Sequence, residues 1–254
     1  MILTIDIGNS NTVFVGYDND KKRVYEHRVL TFKKDTKKLL KPLLEGLKLE
    51  VEDIIISCVV PSIEKDVLEV IEEVFLYKPK LVNAKTIDKM TINIDTPESL
   101  GADFICTSVG ASAKFNTPVI VADIGSASKI SLTNSDNVYE GGIIWPGIGS
   151  SLQSMVEMIP HLPKVDLVLN PSVIGKNTIN AIQSGMLYGV VAQIEGLSNR
   201  IENEVGEKCE RVLTGGYSVL FKELLPEFTF VEHLVSDGLI EIYFNKMLKG
   251  EVKS

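Results

Sequence analysis

Ile2-Leu3-Thr4-Ile5-Asp6-Ile7-Gly8-Asn9-Ser10-Asn11 and Val119-Ile120-Val121-Ala122-Asp123-Ile124-Gly125-Ser126-Ala127 share one pattern. In each, a short, mostly β-branched run reads as a buried strand and ends in Asp-Ile-Gly. Glycine lets the backbone approach a ligand closely and tolerates positive φ. Successive amides in such a turn can cradle phosphate oxygens, and Asn9, Ser10, Asn11 and Ser126 add neutral donors. A carboxylate would repel phosphate directly, so each aspartate reads as a ligand or water anchor for a cation such as Mg²⁺. One Asp-x-Gly turn is a common hairpin; two at matching places in one chain point to paired phosphate-binding elements.

Working outward, the two turns head matching series of elements. In the first, strands are expected at 12–17 and 24–30, a helix at 36–47, a strand at 54–58, a helix from 61 to about 76 and a strand at 80–82. In the second, strands at 129–132 and 138–144 are followed by helical stretches through about 204. A strand at 211–213, a helix near 217–224, a strand at 228–231 and a terminal helix at 237–248 complete the series. The repeat spans about half the chain rather than a short solenoid period. The expected fold is therefore α/β, with two mixed sheets flanked by helices. The joint is expected near Asn116-Thr117-Pro118, giving halves 1–117 and 118–254.

Composition narrows the function. The chain has 254 residues, 44% of them hydrophobic, enough to build a core. Its net charge of −8 disfavours a nucleic-acid partner. The lysine-rich clusters at 21–23 and 33–38 read as solvated surface. Cys58, Cys106 and Cys209 form no Cys-x-x-Cys pair, and His27, His161 and His233 are isolated in sequence, so neither a disulfide framework nor a zinc site is suggested. No signal peptide or membrane span is read; the expected location is the cytoplasm.

Three further stretches carry chemistry. Thr214-Gly215-Gly216, beside Tyr217, would let a base or ribose lie against a strand-to-helix turn. Gly101-Ala102-Asp103 opens a helix of small residues running to about Phe115. A helix N-terminus stabilises negative charge, and Asp103 there is either a capping residue or a base that accepts a proton from a substrate hydroxyl. No G-x-x-x-x-G-K-[ST] loop occurs. Gly147-Ile148-Gly149-Ser150-Ser151-Leu152 only approximates a dinucleotide fingerprint and does not follow the first strand of a βαβ unit, so a dinucleotide fold is discounted.

Taken together these residues resemble the type III pantothenate kinases of the actin/hexokinase-like ATPase superfamily. The likeness extends through Gly141-Gly142-Ile143-Ile144-Trp145-Pro146-Gly147, Leu162-Pro163, Ile174-Gly175-Lys176-Asn177-Thr178, Gln183-Ser184-Gly185 and Tyr188-Gly189, covering nearly the whole chain. It implies a duplicated ribonuclease H-like fold with two mixed five-stranded sheets. It implies ATP-dependent phosphorylation of pantothenate to 4′-phosphopantothenate, the first step toward coenzyme A. By the same resemblance Asp103 would be the general base, Asp6 would serve the Mg²⁺–phosphate region, and Asp123 would hold a monovalent cation, potassium or ammonium. Gly8, Asn9, Ser10, Asn11, Gly125 and Ser126 would surround the phosphates, with Gly215 and Gly216 on the adenosine side. Gly101, Ala102, residue 104 and Thr178 would line the substrate pocket of a homodimer.

Three departures fall near the substrate. Phe104 stands where the family has arginine after Gly-Ala-Asp. Ser126-Ala127-Ser128-Lys129-Ile130-Ser131 stands for Thr-Ala-Thr-Thr-Phe-Asp. Ile94 replaces a tyrosine ahead of Asp95-Thr96-Pro97. A phenyl ring cannot offer the planar donor fork that binds a carboxylate, and Lys129 is a candidate substitute charge. A same-fold kinase for another small hydroxylated substrate, and a non-catalytic nucleotide-binding regulator, are the alternative expectations.

Overall fold

A computed structural model describes residues 1–168 and 172–250. The chain forms two compact units, Met1–Lys114 together with the chain from Leu234 onward, and Phe115–His233. In the first, β1 (Ile2–Ile7) pairs antiparallel with β2 (Asn11–Tyr17), and β2 with β3 (Arg23–Leu30). After α1 (Thr36–Leu47), β4 (Asp53–Cys58) lies parallel to β1; after α2 (Pro61–Phe75), β5 (Lys80–Val82) lies parallel to β4. The sheet order is β3-β2-β1-β4-β5. A two-residue strand, β6 (Thr91–Ile92), precedes α3 (Ala102–Lys114).

Residue alternation sorts the faces of β1. Leu3, Ile5 and Ile7 pack with Leu40 and Leu44 of α1 and Val67 and Ile71 of α2. Ile2, on the opposite face, clusters with Val13, Val15, Tyr17 and Ile240. Asp6 has the parity of Ile2 and Thr4, so its carboxylate lies on that second face. Burial of both faces excludes charge from the strand interior and leaves the carboxylate near its end.

Ile240 belongs to the last helix, α6 (Leu234–Phe244), which packs against α3. Their backbones meet at glycines: a Cβ on Gly238 would lie 1.8 Å from the Cys106 carbonyl oxygen, and one on Gly110 would lie 2.7 Å from that of Leu234. The buried Tyr17 hydroxyl donates to Asp237 Oδ1 at 2.7 Å, and Lys114 Nζ lies 3.2 Å from Asp237 Oδ2. Burial, then the adjacent Asp237 charge, raises the Tyr17 pKa above that of an ordinary phenol. The division into 1–117 and 118–254 thus differs from the observed units, because glycine contacts and the Asp237 pairs return the last helix to the first unit.

The second unit repeats the order, in a sheet of six strands where five were expected. β7 (Val119–Ile124), β8 (Ala127–Thr133) and β9 (Val138–Pro146) are antiparallel neighbours. β10 (Glu210–Thr214) and then β11 (Thr229–Phe230) extend the sheet in parallel on the other side of β7. The helical stretch expected through 204 comprises α4 (Ile148–Met158) and α5 (Thr178–Val205); residues 169–171 of that stretch lie outside the described residues. Ile148 and Leu187, Val190 and Ile194 of α5 join Ile120, Ala122, Ile124 and Leu213 in one core. The helix expected at 217–224 is only a 3₁₀ turn at Ser218–Leu220, closed by Phe221 N–H to Ser218 O, with Pro226 shortly after. The terminal helix begins earlier than expected and ends at Phe244.

The glycine contact gives a sharp test. Gly238→Ala should destabilise the protein by about 3 kcal/mol or more, since the carbonyl it strikes is fixed helix backbone. Gly196→Ala, inside α5 with open space around its Cβ, should instead stabilise by about 0.5–1 kcal/mol. Urea unfolding of both variants checks the pair; equal effects would contradict the packing.

Candidate active site

The first turn is braced from β3's end. Gly8 N–H donates to Asn11 O at 3.0 Å, closing the hairpin. The Thr31 hydroxyl donates to Gly8 O at 2.6 Å, its N–H donates to Ser10 O at 3.0 Å, and its hydroxyl lies 3.1 Å from that of Thr12. Asn9 and Ser10 are exposed at the tip, with Lys33 Nζ donating to Asn9 Oδ1 at 3.4 Å. Below the tip, Asp6 is in register with Val13 on β2 and with Ser57 on β4. The Ser57 hydroxyl is buried and makes no hydrogen bond. Ser57 was not singled out from sequence; counting β4 against β1 in a parallel pair would have found it. Burial pushes the neighbouring Cys58 thiol up to about 11, which leaves no thiolate nucleophile at neutral pH.

The second turn is enclosed by glycines. Gly125 N–H donates to Ala127 O at 3.3 Å. A Cβ on Gly147 would lie 2.3 Å from Gly125 O and 2.5 Å from Ser126 O, so α4 starts directly against the turn. The Ser150 hydroxyl donates to Ser126 O at 3.2 Å. A Cβ on Gly149 would lie 2.4 Å from the Tyr217 hydroxyl. Gly147-Ile148-Gly149, discounted as a dinucleotide fingerprint, is therefore the packing partner of the Gly125–Ala127 turn. Gly215, at φ 98°, approaches from β10: a Cβ there would lie 2.3 Å from Asp123 Oδ1 and 2.6 Å from Ile124 N. Tyr217 N–H donates to Ile124 O at 2.9 Å, fixing Gly215 and Gly216 beside Asp123. Upstream, Arg211 is held by Glu202, Glu227 and Asn199. Burial alone would raise the Glu202 pKa; hydrogen bonds from Arg211, Lys208 and Cys209 N–H outweigh it and hold the carboxyl at about 2.

The two aspartates differ in their cross-strand partners. Asp6 faces the apolar Val13, whereas Asp123 faces Lys129, whose Nζ lies 3.1 Å from Asp123 Oδ2. Both members of that pair are only 8% exposed. Lys129 was expected as a substitute charge for the substrate carboxylate; the structure places its ammonium on Asp123. An added monovalent cation about 4 Å from that ammonium would meet a repulsion of about 4 kcal/mol at an effective dielectric near 20. The donor set at Asp123 therefore does not suit the monovalent ion expected there.

Asp103 occupies the first turn of α3. Its Oδ1 accepts from the Phe104 N–H at 2.9 Å and would lie 2.6 Å from a Cβ on Gly101, so an alanine there would crowd the carboxylate. The Thr107 hydroxyl donates to the Asp103 carbonyl at 2.9 Å. Ala102 and Phe104 are buried, and the phenyl ring offers no hydrogen-bond donor. In the second unit Thr178 is exposed at the start of α5, whose first turn is capped by Asn177 Oδ1 accepting from Asn180 N–H at 2.9 Å.

A sequence model of the family described as type III pantothenate kinase matches residues 2–200. The chain is 38% identical over 251 residues to a type III pantothenate kinase of Roseiflexus sp. (strain RS-1), covering 96% of this chain and 98% of that one. It is 36% identical over 251 residues, with the same coverage, to a type III pantothenate kinase of Exiguobacterium sp. (strain ATCC BAA-1283 / AT1b). In fold it is similar to (R)-2-hydroxyglutaryl-CoA dehydratase component A of Acidaminococcus fermentans, with a TM-score of 0.58 at 16% identity, covering 97% of this chain and 98% of that one.

The glycine contacts predict a separable effect on nucleotide binding. Gly147→Ala should push the Gly125–Ala127 turn out of shape and weaken ATP-analogue binding by about tenfold or more, as overpacking of rigid backbone costs about 1–3 kcal/mol. Isothermal titration calorimetry measures it; unchanged affinity with an intact fold would show that this turn does not touch nucleotide.

Proposed function

The chain belongs to the type III pantothenate kinase family, and from that premise we propose how its own residues divide the work of phosphoryl transfer. The enzyme transfers a phosphoryl group from ATP to pantothenate in coenzyme A biosynthesis. Its fold is the duplicated α/β architecture of actin/hexokinase-like ATPases. The observation that most supports the residue assignments is the repeated hairpin, in which each central strand ends in Asp-Ile-Gly within its unit's sheet.

In this reading the amides and side chains of Gly8, Asn9, Ser10 and Asn11, and the turn at Gly125 and Ser126, bind the phosphates. Gly215 and Gly216 bind the adenosine side. Asp6 and the unpartnered Ser57 hydroxyl are oxygen donors in register on one face, a set that suits a hard divalent ion such as Mg²⁺. Bound there, the ion would offset charge developing on the β- and γ-phosphates. Asp103 accepts the proton of the pantothenate hydroxyl as its oxygen attacks the γ-phosphorus and the bond to the β-phosphate oxygen breaks. The Phe104 N–H orients its carboxylate, and the missing side chain at Gly101 leaves it room. Gly101, Ala102 and Phe104, and separately Thr178, are assigned to pantothenate binding. With phenylalanine at 104, that position supplies no guanidinium fork for the pantothenate carboxylate.

We also propose a homodimer. Met158, Val168, Val173, Ile174 and Ile179 of the second unit are all exposed apolar side chains, and their number within 158–179 supports burial by a second copy. Sedimentation should give a dimer, and Ile174→Glu should shift it toward monomer; a monomeric wild-type protein would contradict this. We further propose a cytoplasmic setting; the net charge of −8 disfavours a nucleic-acid partner. Among the described residues no helix is long and apolar enough to cross a membrane.

A coupled ADP-release assay tests the chemistry. ADP should form only when pantothenate is added, and Asp103→Asn should lower kcat by about 10²–10⁴ while leaving ATP-analogue affinity nearly unchanged. Pantothenate-independent ADP release, or full activity in the variant, would refute the assignment.

A further inference from the structure

Lys129 supplies a fixed positive charge where the family resemblance implies a diffusible one. Its ammonium reaches Asp123 Oδ2 at 3.1 Å across the β7–β8 hairpin, in strict register and nearly closed off from water. The other oxygen, Oδ1, is pressed against the Gly215 backbone. The carboxylate is thus enclosed by a tethered cation on one side and by the turn assigned to the nucleotide on the other. A potassium or ammonium ion at Asp123 would have to displace the lysine or sit beside it against like charge.

We propose that the Lys129 ammonium is a built-in cation at Asp123, so that nucleotide binding and turnover by this enzyme need no added potassium or ammonium. The tethered charge neutralises Asp123 next to the phosphate turn, the task a bound monovalent ion would otherwise perform, and it cannot be washed away. The lysine keeps its proton throughout, so no bond is made or broken. The proposal rests on the nucleotide-binding reading of the Gly125 and Gly215 turns, but not on the identity of the phosphate acceptor.

The test measures binding of a non-hydrolysable ATP analogue with Mg²⁺ by calorimetry, in potassium chloride and in tetramethylammonium chloride. Thallium NMR measures monovalent-ion occupancy with and without the analogue. For the wild-type protein the two dissociation constants should agree within about twofold, with no bound thallium signal. Lys129→Ser leaves Asp123 uncompensated and opens space beside it. That variant should bind the analogue about tenfold or more weaker in tetramethylammonium, recover in potassium and acquire a thallium signal. Wild-type binding that tightens about tenfold with potassium, or a thallium signal displaced by potassium in the wild type, overturns the proposal even if the variant does not fold. A folded variant as indifferent to potassium as the wild type, with undiminished affinity, also overturns it by making the pair merely structural. Absence of nucleotide binding under every condition would refute the nucleotide-site reading instead, and the wild-type thallium signal alone would then decide whether Lys129 excludes a monovalent ion. Cation-independent binding without pantothenate-dependent ADP release would leave the built-in cation standing and refute only the acceptor.

Discussion

Burial of the central strands on both faces is the constraint from which the rest of this molecule follows. β1 and β7 are each paired on both edges and covered by helices, so their interiors hold Leu, Ile, Val, Ala and a buried threonine whose hydroxyl bonds to backbone. A charged group is tolerated only toward the end of such a strand, where a turn supplies hydrogen bonds and glycine opens space. Both strands obey this in the same way, with an aspartate followed by Ile-Gly. The position of the chemistry is thus a consequence of the packing, and duplication of the packing duplicates the turn.

The copies have diverged according to what stands opposite the aspartate. Val13 stands opposite Asp6 on β2, and the buried Ser57 hydroxyl in register on β4 makes no hydrogen bond. Lys129 neutralises Asp123, and glycines from α4 and β10 close over its turn. One turn keeps oxygen donors suited to a divalent ion, while the other is locked by its own lysine. The same hairpin geometry can therefore serve two electrostatic tasks within one chain.

Much of this was legible in the sequence because it depends on short-range pattern. Alternating apolar runs bounded by Gly, Asn and Asp marked the strands, and the helix expected at 36–47 is observed there. What escaped the pattern depends on long-range contact. The terminal helix returns to the first unit through Gly238 against Cys106, which no local periodicity announces. The 217–224 segment has helical composition but is limited to a 3₁₀ turn, pinned at Tyr217 by the Ile124 carbonyl. At the site, Gly147 and Gly149 belong to an imperfect motif whose usual meaning was discounted; they pack against the Gly125 turn and Tyr217. The Lys129 pair was within reach: counting back across the Gly125 turn sets it opposite Asp123.

The two Asp-Ile-Gly hairpins are proposed as phosphate-binding elements that are electrostatically unequal. The most direct measurement is a crystal structure with Mg²⁺ and a non-hydrolysable ATP analogue, grown with potassium present. Phosphate oxygens should be bonded to backbone amides of the Gly8–Asn11 and Gly125–Ala127 turns, with the divalent ion on the Asp6 side and Lys129 still paired with Asp123. Phosphates remote from both turns, or a potassium ion on Asp123 with Lys129 swung away, would contradict it.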